Sequence, residues 1–152
     1  MIDDTTKSTK ITKTKCDILF LEGWCCGSSE IPKKILHKNI NNLEKIKDPK
    51  YRWRNFYNNK LKLEYKKLFK LFDELIFLKT SSFDNVFKWR LKQEKTNQSK
   101  NKKSKRMTSN EIKYFVQHYE KITKWMMKDL NKKAQIVIKF EKNHKISSIN
   151  FN

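Results

Sequence analysis

The chain has 152 residues, a formal net charge of +20 and a hydrophobic fraction of 37%. That length suits one domain. No run approaches the roughly 20 apolar residues that span a bilayer, and the Thr/Lys-rich first fifteen residues lack the apolar stretch of a secretory signal. Cys16, Cys25 and Cys26 make neither a CxxC pair nor a Cys/His ligand spacing, which argues against a zinc site and leaves no metal ligands to expect. Free thiols suit a reducing cytoplasm.

Residues 1–16 are an irregular, polar start. Residues 17–22, DILFLE, form a short continuous apolar run, the pattern of a strand buried on both faces of a parallel sheet. Both glycines of the chain, Gly23 and Gly27, follow at once, so backbone freedom is concentrated directly after that predicted strand. Residues 23–40 read as a loop containing Pro32. A short helix is expected at 41–47. A long one is expected from about 50 to 72, where Leu61, Tyr65, Leu68 and Phe72 recur at helical spacing.

Residues 73–79 read as a second buried strand. Ser81 or Ser82 then caps a helix beginning near Phe83, which runs into the basic stretch QSKNKKSKR. Thr108 with Glu111 three residues on is a capping-box signature. It opens a helix through about Met127, with Ile112, Phe115, Val116, Tyr119 and Ile122 on one stripe. Residues 135–140 form a third strand, and KISSINFN offers a fourth. Strands separated by helices predict an α/β fold with a parallel sheet flanked by helices. Ligands of such sheets bind beyond the carboxyl ends of the strands, where Glu22, Gly23, Trp24, Thr80 and Ser81 fall.

The charge is carried almost wholly by lysine. Lys, Asn and Ile share A/T-rich codons, so solvated lysine faces explain the net charge ahead of a nucleic-acid footprint. The aromatic and cationic stretches YRWRNFYNNK and NKKSKR keep a nucleic-acid-binding or scaffold protein as the alternative. The same bias singles out Arg52, Arg54, Arg90 and Arg106, because a guanidinium fork suits carboxylate and phosphate in a way lysine does not.

Five segments carry a resemblance, in order and over nearly the whole chain. They are Glu22-Gly23-Trp24 with Gly27; Asn41, Leu43, Glu44 and Asp48; Trp53, Arg54, Asn58 and Leu61; Trp89, Arg90, Gln93 and Glu94; and Met107, Thr108, Phe115, Tyr119, Glu120 and Thr123. Together they resemble the D-glycerate 3-kinase-like branch of the phosphoribulokinase/uridine kinase group of P-loop kinases. Lys121 stands where that branch usually has arginine, and Gln135 where an aspartate often precedes the strand. A phosphate loop, G-x-x-x-x-G-K-[ST], cannot be written with glycines only at 23 and 27.

The resemblance therefore implies a single partial kinase domain over 1–152. Its fold would be an incomplete three-layer P-loop kinase fold, with lid helices over 83–127 and strands 17–22 and 74–79 flanking the strand that carries the phosphate loop. ATP and Mg2+ belong to the complete parent and to no site of this chain alone, which is expected to be inactive by itself. The acceptor would be a small acid such as D-glycerate, and a separately encoded N-terminal half is a partner to look for.

By the same resemblance Glu22 holds a magnesium-bound water or the acceptor hydroxyl. Gly23 and Gly27 shape the acceptor loop, and Trp24 walls it. Arg90, with Gln93 and Glu94, closes over the transferring phosphate, and Arg106 lies at the lid tip. Each has a plainer reading: a solvent-facing glutamate, an ordinary turn, core packing, an i,i+4 surface pair. Arg54 with Asn58 meets an acceptor carboxylate, or Arg54 pairs internally with Glu44 or Asp48. His37, His118 and His144 read as surface or structural.

Overall fold

The computed structural model describes residues 15–100 and 107–152. In chain order it holds α1 (Lys33–Leu36), α2 (Asn42–Lys47), α3 (Arg52–Lys60), a π-helical turn at Leu61–Tyr65, α4 (Lys66–Phe69), β1 (Ile76–Thr80), α5 (Phe83–Lys100), α6 (Ser109–Lys133), β2 (Ile136–Phe140) and β3 (Ile146–Phe151). The sheet has the order β1-β2-β3. β1 and β2 run parallel, with Phe77 opposite Val137. β3 returns antiparallel on β2, so the sheet is mixed.

Local chemistry accounts for the element starts. Asn41 accepts from the Glu44 backbone N–H and caps α2. The Asp48 carboxylate accepts from the backbone N–H groups of Trp53 and Arg54, which places a negative charge at the positive end of α3. Thr108 and Glu111 form both halves of a capping box on α6. The expected 50–72 helix is continuous but carries one wide turn, the π segment, at the buried Leu61.

α6 is the spine. Its Ile122, Met126 and Leu130 bury against Ile31, Leu36, Leu61, Phe77 and Val137. Each such side chain is worth about 1.5–3 kcal/mol when fully buried.

One expected strand is not there. Residues 17–22 are not in the sheet, and Ile18, Leu19, Phe20 and Leu21 are 54–86% exposed. A strand exists only where a neighbour takes its backbone N–H and C=O groups, and no described strand lies beside this run. The apolar pattern that predicted burial is real, but its cover is not among the described residues. The loop expected at 23–40 also contains α1. No helix among the described residues is long and apolar enough to cross a membrane.

Candidate functional site

Six of the motif residues, Asn41, Glu44, Asp48, Arg54, Asn58 and Glu120, converge on a largely buried polar frame. Arg54 is 1% exposed. Its Nε donates to Asp48 Oδ2 at 3.0 Å, and its two terminal nitrogens donate to Asp48 O, Glu44 O, Leu36 O and Glu44 Oε2. All five guanidinium N–H groups are thus engaged. Of the two readings of Arg54, the internal pair is the one present, and no donor is left for a ligand.

Lys121, also buried, reaches Glu44 Oε2 at 3.1 Å and donates to the carbonyls of Leu36, Ile35 and Lys38. An ammonium there serves the same carboxylate as the guanidinium. Burial lowers the Lys121 pKa, against the pull of Glu44. Asn58 closes the frame: its amide accepts from Ile31 N at 2.7 Å and donates to Ile31 O at 3.0 Å. Asn41 ties α2 to α6 through Gln117 O and Glu120 Oε2. The Gln135 departure has a similar explanation, since its Oε1 accepts from Leu75 N at 2.9 Å, as a carboxylate oxygen would.

A second group of motif residues faces outward. Trp24 sits edge-on to Tyr119, with ring centroids 4.9 Å apart. Tyr119 packs against Phe115 at 5.1 Å. The Arg90 guanidinium lies 5.7 Å from the Phe115 ring centroid, pairs with Glu94 at 2.8 Å and reaches Gln93 Oε1 at 3.4 Å. Glu94 also accepts from the backbone N–H of Met107. Arg90 keeps about a quarter of its side chain exposed.

The level of this cluster can be read from the helices. Lys124 Nζ lies 5.6 Å from the Phe83 ring centroid, at the point where α5 leaves β1. Tyr119 is one and a half turns nearer the start of α6, roughly 7 Å farther from the sheet. Arg90, Phe115 and Tyr119 therefore lie beyond the carboxyl end of β1, and the Trp24 ring reaches Tyr119 from the loop. Phe115 and Tyr119 were legible as part of the apolar stripe of α6 and of the fifth motif segment, but were given no place in the site. The signal for them was an aromatic pair at i,i+4 on its margin, beside the buried Ile112 and Val116.

The loop between Trp24 and Gly27 is tight. Cys26 N donates to Gly23 O, and Ser28 N to Cys25 O. Gly27 has φ +78°, where any L side chain is strained, and a Cβ there would lie 2.6 Å from a methyl of Leu75, so glycine is favoured. Gly27 thus packs against Leu75, the residue just before β1. Glu22 is exposed and makes no ion pair or side-chain hydrogen bond among the described residues. Cys25 and Cys26 are free thiols, both raised in pKa, by burial first. Arg106 lies outside the described residues.

Two features were not foreseen. Asn85, 1% exposed, donates to the hydroxyls of Thr80 and Ser81 while its Oδ1 has no partner, a buried acceptor at the carboxyl end of β1. A cleft of about 660 Å³ opens between the 27–32 loop, α4 and the second half of α6. Inside it Ser29 donates to Asp129 at 2.6 Å, and Lys133 pairs with the same carboxylate.

The histidines are used locally. His37 stacks on Tyr51, His144 stacks on Trp89, and His118 meets the Phe115 carbonyl. Among the described residues no group of three His, Cys, Asp or Glu side chains is placed to hold a metal ion.

No family model matches the sequence, and no curated protein matches it. Two solved structures are similar. D-glycerate 3-kinase from Cryptococcus neoformans var. grubii superposes with a TM-score of 0.73 at 16% identity, over 97% of this chain and 54% of that one. The YGR205w protein superposes with a TM-score of 0.54 at 22% identity, over 84% of this chain and 45% of that one. The likeness is one of fold. The chain spans about half the length of each.

Proposed function

We propose that the chain is the acceptor-binding and lid portion of a small-molecule kinase related in fold to D-glycerate 3-kinase. The observation that carries this reading is the Trp24–Tyr119–Phe115–Arg90 cluster. It joins a loop residue to a helix cation that lies beyond the carboxyl end of β1, the region where open α/β sheets bind ligands. In this reading ATP with Mg2+ supplies the phosphoryl group, on a phosphate loop from outside these 152 residues.

The roles follow from position and charge. Trp24 forms one wall of the acceptor site, and Gly23 and Gly27 let the chain turn tightly beneath it. Glu22, an exposed carboxylate next to that wall, holds the acceptor hydroxyl and takes its proton as that oxygen would bond to the γ-phosphorus of ATP and ADP would leave. Arg90 is oriented by Glu94, Gln93 and Phe115 and supplies positive charge to the equatorial oxygens in the transition state. Arg54 and Asn58 act from behind, by fixing the frame against which the loop is braced.

Titration of D-glycerate into the purified chain, followed by tryptophan fluorescence, tests the assignment. A saturable change is expected that Trp24→Phe removes and Arg90→Gln weakens about tenfold, an effect of about 1.4 kcal/mol. ATP with Mg2+ should bind only weakly. No response to D-glycerate, or tight magnesium-dependent ATP binding by this chain alone, would count against the reading.

One observation supports the nucleic-acid alternative. α3 exposes Trp53 and Phe56, stacked at 5.9 Å, with Lys60 5.7 Å from the Phe56 centroid. RNA affinity that falls steeply with salt and drops in Trp53→Ala would favour it.

A further inference from the structure

The sheet is covered on one face only. Phe77 and Val137 are buried, on the side that packs against α6. The intervening positions point the other way. There Ile76 stands beside Ile136 and Leu78 beside Ile138, and the rows continue to Phe151 and Ile149 on β3. These six apolar side chains form two full rows, with Ile76 45%, Leu78 58%, Ile149 49% and Phe151 77% exposed. The sheet order leaves β1 with an open edge. The exposed 18–21 run adds a third uncovered apolar surface. Parallel strand pairs are normally covered on both faces, so this face is that of an inner layer.

Two facts choose the occupant. A second copy would bring another +20 onto the face, and like charge opposes that association. The fungal kinase matches nearly all of this chain with 54% of its own, so a little under half of that fold has no counterpart here.

We propose, on the kinase reading above, that this face and the β1 edge dock a complementary segment from outside these 152 residues. It adds an apolar strand beside β1 and lays an acidic amphipathic helix across Leu78 and Ile138. A helix of about three turns would span the five-residue strands. Acidic residues on its outer rim meet the surrounding lysines, which gives both speed of association and partner choice.

The probe is the part of the Cryptococcus neoformans D-glycerate 3-kinase that lies outside the matched region, made as a separate polypeptide and mixed with the 152-residue chain. Sedimentation should show a one-to-one complex, and amide exchange of Ile76–Thr80 should slow by at least about tenfold in it. Leu78→Lys should weaken the complex by about tenfold or more with the far-UV circular dichroism of the free chain unchanged, because Leu78 is already exposed. Two unmixed species with unprotected β1 amides would overturn the proposal. So would a discrete dimer of this chain alone that Leu78→Lys dissolves, which would give the face to a second copy. Phosphoryl transfer is assayed separately on the same mixture. A complex that forms without transfer leaves the docking surface standing and counts against the kinase reading.

Discussion

At the scale of single residues, the buried frame around Arg54 explains why four charged side chains tolerate burial. Arg54 and Lys121 face Glu44 and Asp48, two charges of each sign, with the remaining donors satisfied by backbone carbonyls. Removing one partner of such a pair costs about 3–5 kcal/mol, because it strands the other charge. Asp48 gives the frame a pH signature. Burial alone would raise its pKa, but the hydrogen bonds from the Arg54 side chain and the Arg54 and Trp53 backbone outweigh this and hold it below the usual 3.8. Below that value the unfolded carboxyl is protonated while the folded one still carries charge. The unfolded state then binds more protons, so stability falls as pH falls. Urea unfolding from about pH 5 down to about pH 2.5 should show this acid loss, with the Asp48 part of it missing in Asp48→Asn. A wild-type profile that is flat or rises toward acid would remove Asp48 from that role.

At the scale of elements, α6 was the most legible piece and also the most consequential. Thr108 and Glu111 announced its start, and its apolar stripe announced the face that meets β1 and β2. Thr108→Ala should lower stability by about 1 kcal/mol, measured as a shift in the thermal midpoint with the α6 amides nearest residue 109 exchanging faster. No shift would mean that tertiary packing alone sets that end. β1 was readable as a strand but begins three residues later than expected, because Leu75 is held outside the ladder by Gln135 Oε1 and packs on Gly27. DILFLE was misread for a deeper reason. Its residues state only that a neighbour is wanted, and pairing is a property of the neighbour. The outward cluster was half legible: Arg90 stood out by residue type and Trp24 by its motif, whereas Phe115 and Tyr119, though in a motif too, carried no assigned role beyond the apolar stripe. Arg54 could not be assigned by sequence at all, since an acceptor carboxylate and Asp48 make the same demand on a guanidinium.

At the scale of the whole molecule, 36 basic residues face 16 acidic ones. The described ion pairs are mostly i,i+4 contacts on helix surfaces, each worth little in water. The net electrostatic contribution to folding is therefore repulsion among lysines, and added salt should relieve it. The expected result is a thermal midpoint that rises as sodium chloride goes from about 0.05 M to about 0.5 M, as the screening length falls toward a few ångströms. A midpoint that falls would show that the ion pairs outweigh the repulsion. The same measurement bears on the docking surface. An acidic complement seated on the bare face would neutralise part of the same charge, so the midpoint of the complex should depend less on salt than that of the free chain. An equal salt slope would mean that the complement docks without meeting the lysines, through the apolar rows alone.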